Sequence, residues 1–61
     1  MSFLNTLTQR ERQALRAVVK RVHLKHNPKE FVNDYEADKL IEAIGPESAS
    51  AMIQAGYKYL D

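Results

Sequence analysis

A chain of 61 residues and 7.0 kDa, with 44% hydrophobic and 28% charged residues, holds one domain at most. Folding hides only about 60% of the surface that such a chain exposes when unfolded. It has no cysteine, which excludes disulfides and thiolate-bound zinc. The net charge of +1 conceals a division: residues 1–29 carry seven cationic side chains against one carboxylate, and residues 30–61 carry two against seven.

The first helix has a sequence start signal. In Thr8-Gln9-Arg10-Glu11 the Thr8 hydroxyl can accept from the Glu11 amide while the Glu11 carboxylate reaches back to the Thr8 amide. Leu15, Val18, Val19 and Val22 follow at helical spacing; a strand would throw the two adjacent valines onto opposite faces, whereas a helix keeps all four on one. The predicted helix runs from about residue 9 to 26 and stops at Asn27-Pro28, because proline disfavours the helical conformation in the residue before it. Asn27-Pro28-Lys29-Glu30 can open a new turn with Asn27 as cap and Glu30 closing a second box. Phe31 is expected to point inward there.

The second helix is predicted over about 34–44. Asn33-Asp34-Tyr35-Glu36 places acceptors where the helix dipole favours negative charge, and Ala37, Leu40, Ile41 and Ile44 form the inward stripe. Gly45-Pro46 ends it, with Gly45 as a left-handed cap and Pro46 opening a third helix over about 46–56. Ala49, Met52 and Ile53 are the apolar face of that helix. The small residues around it, from Ser48 to Ala51 and at Ala55 and Gly56, permit close helix approach; either Gly56 caps the helix, or the helix continues, since Ile53, Tyr57 and Leu60 also keep helical spacing. The fold class is therefore all-α: a single three-helix domain over 1–61, with 1–7 and 57–61 as tails or partner-contact segments. Its expected core is Leu15, Val18, Val19, Val22, Phe31, Leu40, Ile41, Ile44, Met52 and Ile53, edged by Leu4, Leu7, Tyr57 and Leu60. A core this small makes a partner or self-association more favourable than for a larger domain.

Arg12, Arg16 and Lys20 recur every fourth residue on the first helix, and His23 continues the line. Such a stripe can bind an acidic partner surface or DNA phosphates, stay solvated, or pair with the acidic second helix. No aromatic is interleaved with it, so base stacking is not expected. Tyr57, Tyr59 and Leu60 are of the type that anchors interfaces, and can equally cover the domain's own core. The predicted partner-binding set is Arg12, Arg16, Lys20, His23, Tyr57, Tyr59 and Leu60.

His23, His26 and Glu30 have two imidazoles and a carboxylate at short spacing, but Pro28 interrupts the helix between them and there is no third strong ligand, so no metal is expected. Asp34, Glu36 and Asp38 alternate, and residues two apart on a helix do not face each other, so they form no acid/base pair. With no nucleophile elbow, phosphate-binding glycine loop or triad, the expectation is a non-enzyme without a cofactor.

Residues 7–15 resemble the opening of a LuxR-type helix-turn-helix. The likeness stops there: the following helices are acidic, and residues 47–55 contain neither Lys nor Arg to read base edges. A second resemblance runs through Arg21-Val22-His23, then residues 34–41, then Ile44-Gly45-Pro46-Glu47. It is to short proteins of short-tailed, podovirus-type bacteriophages. That resemblance implies a small virion or accessory component acting in several copies at a portal or tail assembly, located in the virion or the host cytoplasm. The alternative is a small helical regulator that contacts DNA phosphates, without sequence specificity, through the first helix. No stretch approaches the ~18 apolar residues of a membrane span, and arginines follow the apolar start too closely for a signal peptide; neither membrane insertion nor secretion is expected.

Overall fold

The computed structural model describes residues 3–60 and contains three α-helices, α1 (Gln9–His26), α2 (Asp34–Ile44) and α3 (Pro46–Gly56). Short 3-10 turns lie at Phe3–Thr6 and Tyr57–Tyr59, and there is no strand among the described residues. The all-α reading holds, each helix begins where its cap places it, and α1 and α2 end at theirs. At α1 the Thr8 hydroxyl accepts from the Glu11 amide at 3.1 Å and the Thr8 amide donates to the Glu11 carboxylate at 2.8 Å. Asn33 and Glu36 form the same reciprocal box at α2. Gly45 ends α2 and starts α3, with φ 94° and ψ 162°. This is a positive φ as expected, but with extended rather than left-handed helical ψ, a region that glycine alone enters without strain.

Both α2 and α3 pack on α1 and scarcely on each other. Leu15 and Ile41 are fully buried, with Ala14, Val18, Val19, Ala37, Ala49 and Ile53 around them. Both ends of the described residues fold back onto this core. The N-terminal turn buries Leu4 and half-buries Leu7, and the C-terminal turn lays Tyr57 against the same cluster. The outermost tail residues, 1, 2 and 61, lie outside the described residues.

Four expected core residues are elsewhere. Phe31 is 86% exposed, and its neighbour Val32 is buried in its place. In extended backbone adjacent side chains point to opposite faces, so only one of the two can enter. Val32 directly precedes the cap Asn33 and belongs to the same buried cluster as Ala37, five residues on, in the positions of a hydrophobic staple. That staple selects Val32. The box expected at Asn27 also fails: the Glu30 amide donates to the Asn27 carbonyl in a simple turn, and the Glu30 carboxylate meets His23 instead. Val22, Leu40 and Ile44 are 50%, 37% and 40% exposed. Two helices resting on a third cover only the centre of each apolar stripe, and these three residues sit on the flanks. Gly56 is not a cap; it has helical φ and ψ and is buried against α1.

Candidate interaction surface

The basic stripe of α1 is turned onto its own chain. Arg12 Nη1 donates to the carbonyls of Leu4 (3.1 Å) and Leu7 (2.6 Å), which ties the N-terminal turn to α1. Arg16 grips Asp38 with two parallel bonds, Nε to Oδ1 at 2.7 Å and Nη2 to Oδ2 at 2.8 Å. This fork geometry is the strong form of a carboxylate pair. Lys20 Nζ donates to Asp34 at 2.6 Å in a more exposed pair. His23 Nε2 lies 3.0 Å from Glu30 Oε2. Two carboxylates of α2, Asp38 and Asp34, thus neutralise two cations of α1, Arg16 and Lys20, within one chain. Two ionisations respond. Arg16 is raised above its ordinary value, first by its hydrogen bond to Asp38, with burial opposing. Asp34 is lowered, first by the hydrogen bond and then by the charge of Lys20.

The aromatic tail is likewise engaged. The Arg10 guanidinium lies 5.6 Å from the centre of the Tyr57 ring, and that of Arg21 lies 4.1 Å from Tyr59, within cation–π range. Leu60 is half-buried. All seven expected partner-binding residues are on the described surface, but Arg12, Arg16, Lys20 and His23 are spent on internal partners. Tyr57 covers the core, and Tyr59 keeps about half its surface free.

An apolar part of the surface has no partner in the chain. Val22, Leu40 and Ile44, each expected in the core, converge with Val19, Ala43 and Met52 on an open groove of about 370 Å³. His23, His26 and Asn27 form its polar wall. A second depression shares His23 and Leu40 with the groove and includes Phe31, so the most exposed large apolar side chain stands directly beside it. The sequence signal for this surface was the width of the apolar stripes: α2 presents four apolar positions where contact with α1 covers two. Among the described residues no three of His, Asp and Glu cluster closely enough to hold a metal. No described helix is long and apolar enough to cross a membrane. No protein-family model matches the chain, nor does any curated protein or solved structure.

Proposed function

We propose that this chain is a non-enzymatic interaction protein that attaches to other protein through the groove between the end of α1 and the α2–α3 corner. One observation carries this: Val22, Leu40, Ile44 and Phe31 lie exposed and adjacent on a chain that has paired its central cations internally. Contiguous exposed apolar surface on a small domain marks a contact site, because leaving it in water costs stability that association recovers. The internal pairing of Arg16 and Lys20 leaves less free charge on α1 for phosphates, which favours apolar docking over the DNA-binding alternative. Following the resemblance to short-tailed phage proteins, its setting is a virion or accessory component at a portal or tail assembly.

Quantitative mass spectrometry of purified virions tests this reading. The chain is expected in wild-type particles and absent from particles made with Ile44→Glu, while the isolated variant stays helical by circular dichroism. Virions that lack the wild-type chain overturn the setting. Normal incorporation of Ile44→Glu overturns the groove as the attachment surface.

A further inference from the structure

We propose that the side of α1 turned away from the groove binds single-stranded nucleic acid, with the Tyr59–Arg21 stack receiving a base and Lys25 and Lys58 meeting the flanking phosphates. This surface is separate from the attachment groove and does not depend on it. On α1 the groove uses Val19, Val22, His23 and His26, whereas Ala17, Arg21 and Leu24 line an open depression with Lys20 and Tyr59. With about 3.6 residues per turn, the two sets fall on opposite sides of the helix.

A juxtaposition hidden in the linear sequence carries the inference. The basic residues of α1 have no aromatic among them, but the C-terminal turn brings one. The Arg21 guanidinium lies 4.1 Å from the centre of the Tyr59 ring, well inside cation–π range. Tyr59 remains 47% exposed, and Leu24 beside it 52%. A planar cation stacked on a ring offers a flat π surface to a base, and this combination holds single strands without reading their sequence.

Charge selects the same occupant. Arg21, Lys25 and Lys58 are exposed, and none has a carboxylate partner among the described residues. Lys25 follows Arg21 by four residues and so stands beside it one turn on. Lys58 precedes Tyr59 in the C-terminal turn. No carboxylate lines the depression; the nearest is Asp34, on the far side of Lys20, which it pairs.

Other occupants fit this patch less well. A bilayer takes a helix with a broad apolar face, and α1 has given that face to the core, leaving Leu24 and one ring. A protein partner needs about 800 Å² with an apolar centre, and the depression offers only Ala17, Leu24 and the ring between cations. A duplex would use the cations and leave the ring idle, because its bases are already stacked inside.

Fluorescence anisotropy of a labelled oligothymidylate of about 16 nucleotides, titrated with the full chain, tests the proposal. Affinity is expected to fall with salt on a log–log slope of about −2, as for three phosphates neutralised on a single strand, and to exceed the affinity for a duplex of the same length. Tyr59→Ala is expected to weaken binding about tenfold with the slope unchanged, and Tyr59→Phe to bind as the wild type does. Lys25→Gln and Lys58→Gln, at exposed positions, should each flatten the slope by about 0.7, which keeps the test open if Tyr59→Ala loses helicity. No binding at low salt, equal affinity for the duplex, a folded Tyr59→Ala variant that binds normally, or a slope unmoved by both lysine substitutions overturns the proposal. Tighter binding to polyglutamate or to phosphatidylserine vesicles than to the oligonucleotide at the same salt also overturns it, and would assign the patch to an acidic protein or a lipid surface.

Discussion

Gly56 of α3 lies so close to Ala14 of α1 that a Cβ at position 56 would overlap the Ala14 carbonyl. The obstacle is backbone, so no side-chain rotation relieves it. Gly56→Ala gains up to about 1 kcal/mol of helix propensity and loses more to overpacking. A net cost of about 3 kcal/mol is expected, near the upper end for small-to-large changes. Thermal unfolding followed by circular dichroism checks this; a Gly56→Ala variant as stable as the wild type would show that the two helices do not meet so closely.

Ile41 and Leu40 are adjacent in sequence and differ in burial, 0% against 37%. Ile41→Ala is expected to cost about 3–4 kcal/mol, as for a large-to-small change in a packed site. Leu40→Ala should cost less, about 1 kcal/mol, since part of its surface already meets water. Urea midpoints of the two variants distinguish them, and equal losses would contradict the exposed groove wall.

Arg12 holds the N-terminal turn by donating to two carbonyls from one guanidinium nitrogen. Arg12→Ala is expected to cost about 1.5 kcal/mol, typical for hydrogen bonds from a charged group, and to accelerate amide exchange at Leu7, whose N–H donates to the Leu4 carbonyl. Arg12→Lys keeps the charge and a nitrogen that can donate twice, but that nitrogen sits one bond nearer the backbone on a flexible stem, so it should restore only part of the loss. Unchanged exchange at Leu7 in Arg12→Ala would show that the turn is held by Leu4 packing alone.

The two pairs between α1 and α2 should differ in strength. Arg16 and Asp38 are joined by a two-bond fork with both side chains less than a third exposed. A double-mutant cycle is expected to give a coupling of about 1 kcal/mol, the upper end for surface pairs. Lys20–Asp34 is more exposed, and its coupling should be smaller and fade with salt. Equal couplings, or a salt-sensitive Arg16–Asp38 term, would mean that the fork geometry contributes nothing.

Asp34 titrates below its ordinary value of 3.8 because Lys20 donates to its charged form. Its folded value lies beneath its unfolded one. The stabilising contribution is thus present above the unfolded value and lost as pH falls through the lowered folded value. Carboxyl carbon shifts across an acid titration should show the lowered midpoint, and Lys20→Gln should return it toward 3.8. A midpoint unmoved by that substitution would assign the shift to another cause.

The spans of α1 and α2 and the start of α3 were legible in the sequence because each rests on local chemistry: the boxes at Thr8 and Asn33, the stop at Asn27-Pro28, and the corner at Gly45-Pro46. So was the central line of the core, since Leu15 and Val19 on α1, Ile41 on α2 and Ile53 on α3 each lie on an apolar stripe at helical spacing within their own helix. The alternative of internal charge pairing was also visible, as one basic and one acidic helix joined by a short turn.

Tertiary structure decided the rest. Periodicity marks which face of a helix is apolar, not how much of that face a neighbour covers. Because α2 and α3 both rest on α1 and little on each other, the flanking positions Val22, Leu40 and Ile44 open onto a groove. The choice between Phe31 and Val32 went to the residue that could reach Ala37 across the start of α2. Gly56 became a contact rather than a cap because Ala14 faces it from 42 positions away along the chain, a proximity that no local pattern encodes. The pairing of Arg16 and Lys20 with Asp38 and Asp34 depended in the same way on the register of two packed helices. Local hydrogen bonding and side-chain spacing set the elements; the limited reach of each helix over its neighbour set which residues the protein hides and which it presents.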